Sequence, residues 1–215
     1  MNDAATGLLP LESRSASLAL ASVVAWLAAA ASTGPLGIWV AIGGTAIALG
    51  LAVLLFERPA STALLLPSPR LVLLGAAAGS VMAVATYLLY PLLARTLPFI
   101  ATDTTQLYAA SRAPSLVVAS VAIVPVIFGE ELVWRGVVQA SLVQRLGSWR
   151  GVALAAVVYA LVHAPLGSPV LVAVAFFCGL AWGTLRATTA SLVPTLVAHL
   201  LWDVLVLLWL PLDTR

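Results

Sequence analysis

The chain has 215 residues, of which 62% are hydrophobic and only 8% are charged. Soluble domains carry about 25% charged residues, so this composition excludes an ordinary globular enzyme and predicts an integral membrane protein. The ten basic residues are all arginine and the net charge is only +2, which argues against nucleic-acid binding.

Apolar runs in the sequence predict an all-α, polytopic transmembrane helix bundle with about seven spans. The spans are expected at about residues 17–31, 36–56, 71–94, 114–146, 151–164, 170–185 and 191–210. The fourth run is too long for one straight crossing, because its residues would extend about 50 Å as a helix. Pro125 and Gly129 therefore predict a bend or two helices in series. The single Cys178 lies in an apolar run and is interpreted as a small buried hydrophobe.

The chain is expected to form a single integral domain made of three segments. Residues 1–15 form a polar N-terminal tail, 16–113 hold N-terminal helices and loops, and 114–210 form a catalytic transmembrane core. Residues 57–70 are predicted to be a surface loop, and residues 95–113 an exterior loop that shields a cavity mouth.

Arginine asymmetry predicts the orientation of the chain in a cell inner (cytoplasmic) membrane, with the N-terminus in the cytoplasm. The inner side then receives Arg14, Arg58, Arg70, Arg145, Arg150 and Arg186, and the outer side receives Arg95, Arg112 and Arg215.

Two adjacent carboxylates and an arginine interrupt the fourth apolar run, at Glu130, Glu131 and Arg135. A charged side chain at bilayer depth costs roughly 2.5–3.5 kcal/mol, so such groups persist where they pair or react. Glu131 and Arg135 are four residues apart and share a helix face, where they can form an ion pair. Glu130 points about 100° away from Glu131 and is free to face a cavity.

Both histidines of the chain also lie inside predicted spans. His163 follows Tyr159 by four residues, and His199 precedes Asp203 by four, so each pair shares a helix face. A rise of about 1.5 Å per residue allows Glu130 and both histidines to meet at one level of the membrane.

Each of these groups also has an ordinary structural interpretation. A histidine can be a hydrogen-bonded packing residue, the Glu131–Arg135 pair can lock two helices, and Asp203 can solvate a helix end. However, every histidine and every predicted intramembrane acid falls between residues 130 and 203. This clustering favours a functional site.

Three motifs resemble those of the CAAX protease and bacteriocin-processing family. They are EExxxR, an aromatic residue four positions before a histidine, and a histidine four positions before Asn or Asp. This family, also called Abi, comprises intramembrane endopeptidases and includes the type II CAAX prenyl endopeptidases. The resemblance covers about residues 114–210, where the three motifs occur in the family's order.

The resemblance implies that Glu130, assisted by His163, activates a water molecule for attack on a peptide bond. Glu131 would pair with Arg135 and shape the site.

The resemblance further implies that His199 and Asp203 stabilise the oxyanion, although two positions depart from the family pattern. Tyr159 replaces the usual Phe and adds a hydroxyl to the aromatic wall. Asp203 stands where the prenyl-protein enzymes have Asn, and an ionised carboxylate cannot donate to an oxyanion. Asp203 is therefore expected to orient His199 or to be protonated.

A metal is the alternative chemistry. Glu130, His163 and His199 are competent ligands for one zinc ion, but the sequence lacks the HExxH helix typical of zinc peptidases. The resemblance favours a glutamate-activated water without a cofactor.

Two competing functions remain from the sequence: a multi-span transporter or proton-relay subunit, and a non-enzymatic membrane scaffold or immunity protein. The absence of inverted repeats argues against the transporter. For a protease, the expected partners are the lipid bilayer and a membrane-anchored protein or peptide substrate. A lysine-free chain rich in Ala, Leu and Val is typical of a GC-rich bacterial genome, which favours bacteriocin leaders or C-terminal sorting tails over prenylated proteins.

Overall fold

A computed structural model of the protein describes residues 13–111 and 115–214, and within these ranges the backbone is helical apart from short connections, with no strand. The longer helices are α1 (Ser13–Ala31), α2 (Trp39–Phe56), α3 (Arg58–Leu64), α4 (Pro69–Thr96), α5 (Phe99–Ser111), α6 (Leu116–Leu146), α7 (Ser148–Leu161), α8 (Pro169–Thr189) and α9 (Val193–Trp209). Single helical turns lie at Thr33–Leu36, Ala164–Leu166 and Leu212–Thr214. Most of the predicted polar tail lies outside the described residues, as do Arg112 and Arg215, so the arginine-based orientation stays a prediction.

Within the described residues, five helices are long and apolar enough to cross a membrane: α2, α4, α6, α7 with the turn that follows it, and α8. Two shorter apolar helices, Ala16–Ala31 and Val193–Trp209, fall where the first and seventh spans are predicted. Large apolar side chains such as Leu55, Leu88 and Val117 are more than 70% exposed, as expected for surfaces that face lipid acyl chains. The prediction of an all-α polytopic helix bundle is confirmed for the described residues.

The prediction of an exterior loop at residues 95–113 is wrong, because most of this stretch forms α5. The Asp103 carboxylate accepts a hydrogen bond from Ser168 Oγ at 2.9 Å, at the start of α8. The Tyr108 hydroxyl donates to the carbonyl oxygen of Val206 in α9, and burial raises the pKa of Tyr108 to about 12, so this hydroxyl keeps its proton. The polar residues that suggested a loop instead fasten α5 to two other helices.

The surface loop predicted at residues 57–70 also contains a helix, α3. The carbonyl oxygen of Leu64 at its end accepts hydrogen bonds from Leu192 N at 2.9 Å and from Ser191 Oγ at 3.2 Å. The connection that leads into α9 is therefore anchored on α3.

Helix α6 carries the two adjacent glutamates and changes its backbone geometry just after them. The backbone is α-helical over Leu116–Glu131, π-helical over Leu132–Val138 and α-helical again over Gln139–Leu146. The predicted irregularity thus follows Glu131, whereas Pro125 lies within regular α-helix. Short π-helical segments within α-helices are frequent at functional sites, because they re-aim the side chains beside them.

Close backbone contacts place α6 and α9 against their neighbours. A Cβ atom on Gly129 would collide with the carbonyl oxygen of Ala46, so α2 and α6 touch through their backbones beside Glu130. A Cβ atom on Gly79 would lie 2.8 Å from the carbonyl oxygen of Ala198, so α4 and α9 are equally close beside His199. Small residues allow this kind of close helix packing in membranes.

Candidate active site

A buried ion-paired network forms the centre of the site. Oε1 of Glu131 lies 3.1 Å from Arg135 Nη1 and 2.8 Å from His199 Nδ1. The three side chains are 0%, 2% and 3% exposed, so their charges must be compensated by neighbouring groups rather than by water. The predicted Glu131–Arg135 pair is confirmed, and His199 adds a link from α6 to α9 that the sequence did not indicate.

Both ring nitrogens of His199 face carboxylate oxygens. Nδ1 contacts Glu131, and Nε2 lies 3.5 Å from Asp203 Oδ2, one helical turn further along α9. A neutral imidazole would turn a lone pair towards one of these carboxylates, whereas an imidazolium donates to both. With His199 protonated, the charges of Glu131, Arg135, His199 and Asp203 sum to zero.

Glu130 is held apart from this network. Its Oε2 accepts a hydrogen bond from the Tyr159 hydroxyl at 2.9 Å, and the side chain is buried. Among the described residues, no arginine or histidine donates a hydrogen bond to Glu130. The two adjacent glutamates therefore have different partners, as their different helix faces predict, but Glu130 is held by Tyr159 rather than free.

The position of His163 follows from the way α7 ends. The helix stops at Leu161, because Pro165 cannot continue it. The backbone N–H of His163 bonds to Ala160 O, which leaves the carbonyl oxygen of Tyr159 to the imidazole, whose Nδ1 lies 2.6 Å away. A carbonyl oxygen only accepts, so Nδ1 carries a proton and Nε2 of a neutral His163 presents its lone pair.

Tyr159 connects Glu130 and His163, which share no direct hydrogen bond in the described part of the chain. Its hydroxyl contacts Glu130, and its ring lies edge-to-face with the His163 ring at 4.8 Å. The same ring lies 4.6 Å from Arg135 Cζ. Sequence reasoning placed Tyr159 beside His163, but its contacts with α6 depend on the tertiary fold.

Trp182 in α8 is a site residue that sequence reasoning missed. Its ring stacks on His199 at 3.7 Å with an angle of 20° between the planes, and Arg135 Cζ lies 5.1 Å from the ring centre. The predicted span at residues 170–185 places Trp182 three residues from its end, where tryptophans are common in membrane proteins, so no feature of the sequence distinguished it. Cys178, one turn earlier on α8, is buried, as predicted.

The proposed zinc ligands do not fit a metal centre in this arrangement. Among the described residues, no group of three His, Cys, Asp or Glu side chains converges on a point where a metal ion could bind. Glu130 and His163 each contact Tyr159, and both nitrogens of His199 face carboxylates. A zinc ligand needs one ring nitrogen directed at the metal instead.

The fold and the site together define a multi-pass membrane protein with a buried cluster of acidic, basic and aromatic side chains. Residues 112–205 match the family model for the Rce1-like group, described as type II CAAX prenyl endopeptidase Rce1-like. This part of the chain is thus similar to the Rce1-like endopeptidases, and the resemblance to the CAAX protease family found in the sequence is confirmed. No curated protein and no solved structure shows a significant match to the chain.

The matched residues include all seven site residues predicted from the sequence: Glu130, Glu131, Arg135, Tyr159, His163, His199 and Asp203. The match indicates protease activity of the CAAX type in general.

Proposed function

We propose that this chain is an intramembrane endopeptidase in which Glu130 activates the attacking water. The observation that supports this role is the difference between the two adjacent glutamates. Glu131 is neutralised by Arg135 and His199, whereas Glu130 has a phenol as its partner. Glu130 is therefore the carboxylate that can accept a proton during the reaction without disrupting the ion-paired network.

In the proposed reaction, a water molecule donates one proton to Glu130 as its oxygen attacks the carbonyl carbon of the substrate peptide bond. The lone pair on His163 Nε2 accepts a hydrogen bond from the same water and orients it. The carbon–nitrogen bond then breaks, the proton held by Glu130 passes to the leaving amine, and the products are an amine and a carboxylic acid, which ionises to the carboxylate on release.

The oxyanion of the tetrahedral intermediate needs a donor, and we assign this role to His199 Nε2–H. Its contact with Asp203 is long at 3.5 Å, so this N–H interacts only weakly with the carboxylate and can donate to the oxyanion instead. Nδ1 remains fixed by Glu131 at 2.8 Å while Nε2 turns its hydrogen bond towards the oxyanion. Asp203 thus orients His199 and stabilises its protonated form rather than donating to the substrate itself.

The substrate class that suits a site buried among membrane helices is a protein or peptide anchored in the same bilayer. C-terminal sorting tails of surface proteins are the specific substrates we favour, in a cytoplasmic membrane with the N-terminus of the chain on the cytoplasmic side.

The test is to reconstitute the pure protein in liposomes with membrane-anchored peptides that carry candidate sorting tails or bacteriocin leaders. Mass spectrometry of the products should find one defined new peptide end in each cleaved substrate. A protein that produces no new peptide end but dissipates a proton gradient across the liposome membrane would be the transporter alternative, and the proposal would be wrong.

A further inference from the structure

The environment of Trp182 differs from that of an ordinary packing tryptophan. The side chain is only 2% exposed and lies in the interior of α8. Its indole Nε1 has no hydrogen-bond partner among the described residues. The interactions of Trp182 with its surroundings are therefore made by the ring faces and edges rather than by its polar atom.

Two cationic side chains share this ring. His199 stacks on it at 3.7 Å, and Arg135 Cζ lies 5.1 Å from its centre. The same two side chains also share one anionic atom, Oε1 of Glu131. Arg135 and His199 would repel each other in an apolar interior, and the shared carboxylate and aromatic ring offset that repulsion.

We propose that Trp182 is a positioning residue for His199, which fixes the plane of the imidazole ring so that Nδ1 stays on Glu131 and Nε2 stays directed at the oxyanion. The inference rests on the proposed function, because it gives His199 its role as the oxyanion donor.

The stacking geometry explains why an aromatic ring is needed at this position. The hydrogen bond of His199 Nδ1 to Glu131 and the N–H at Nε2 both lie in the plane of the imidazole, so rotation of the ring would misdirect both together. An indole lying within 20° of that plane blocks the rotation and attracts the cationic form of the ring. An aliphatic side chain fills space but provides no flat surface and no negative ring face.

The test compares ring-containing with ring-free substitutions at this position. Trp182→Phe keeps an aromatic face, whereas Trp182→Met is flexible and apolar. The full-length protein in liposomes is assayed with a lipid-anchored fluorogenic peptide that the wild type cleaves. We expect Trp182→Phe to retain most of kcat and Trp182→Met to lose about tenfold relative to Trp182→Phe, with KM unchanged.

Trp26 supplies the matched control, because it is also fully buried and its Nε1 also has no partner among the described residues. It packs edge-to-face on Trp134, its ring lies 6.4 Å from that of His163 at an angle of 59°, and it stacks on neither histidine. Trp26→Phe and Trp26→Met should therefore have similar kcat values. Equal kcat for the Phe and Met variants at position 182, or a loss confined to KM, would overturn the positioning role.

A second measurement is independent of activity. Thermal unfolding of Trp182→Met, His199→Gln and the double variant forms a double-mutant cycle. Stacking predicts that the double variant loses less stability than the sum of the single losses, and additive losses would refute the contact. A wild type that cleaves no peptide would count against the proposed function alone, because this cycle would still report on the stacking.

Discussion

Replacing Arg135 should expose how far the site depends on its buried ion pair. Arg135 is 2% exposed, its Nη1 lies 3.1 Å from Glu131 Oε1, and its guanidinium lies over the rings of Tyr159 and Trp182 at 4.6 and 5.1 Å. Arg135→Met keeps an apolar chain of similar reach and removes the charge, which leaves Glu131 with His199 as its remaining cationic partner.

Breaking a buried ion pair costs about 3–5 kcal/mol, because one charge is left uncompensated. His199 still contacts the same oxygen at 2.8 Å, so we expect the lower end, about 3 kcal/mol. At about 2–4 °C per kcal/mol for a chain of this size, the unfolding temperature should fall by about 6–12 °C. Thermal unfolding in detergent measures the shift, and abundance in the membrane should fall with it.

Two further variants separate the loss of charge from the loss of shape. Arg135→Lys keeps the charge but not the flat guanidinium between two rings, so it should lie between the wild type and Arg135→Met. Adding Glu131→Gln to Arg135→Met removes the uncompensated carboxylate and should recover part of the lost stability. Wild-type unfolding behaviour of Arg135→Met would refute the reasoning.

Three other predictions concern packing, His199 and metal. Gly79→Leu should lower both stability and kcat, because the new side chain would push Ala198 and the helix carrying His199 away. Gly44→Leu, whose side chain enters open space, is the control in unfolding and cleavage assays. Asp203→Asn should retain more activity than Asp203→Leu, because an amide oxygen can still accept a hydrogen bond from His199 Nε2. Asp203→Leu removes the orienting group and should lower kcat on the order of 10²-fold. Equal kcat values for the two variants would contradict the orienting role. Cleavage should survive exhaustive chelation, and elemental analysis should find no stoichiometric zinc; zinc that is lost together with activity would contradict the metal-free mechanism.

Local spacing predicted those parts of the site that lie on one helix. Glu131 and Arg135 had to share a face of α6 because they are four residues apart, and the structure joins them. The same rule placed Tyr159 beside His163 and His199 beside Asp203. The apolar runs likewise predicted the helix bundle, because a bilayer requires long apolar helices.

Contacts between helices that are far apart in the sequence could not be predicted from local spacing. The Tyr159 hydroxyl reaches Glu130 across 29 positions of the sequence, and His199 reaches Glu131 across 68. Nothing in the spacing of these residues fixes how α6, α7 and α9 pack. Residues 95–113 were misassigned for the same reason. Asp103 suggested a loop, because its hydrogen-bond partner Ser168 is distant in the sequence.

The central claim, that Glu130 activates the water, is tested most directly by Glu130→Gln in the liposome cleavage assay. The amide has the shape of the carboxylate and can still accept from Tyr159, but it cannot take a proton from water. Glu57→Gln, a change in the connection between α2 and α3, is the control for replacing a glutamate. We expect normal unfolding with cleavage reduced about 10³–10⁴-fold for Glu130→Gln, and wild-type cleavage for Glu57→Gln. Near wild-type cleavage by a folded Glu130→Gln protein would contradict the mechanism.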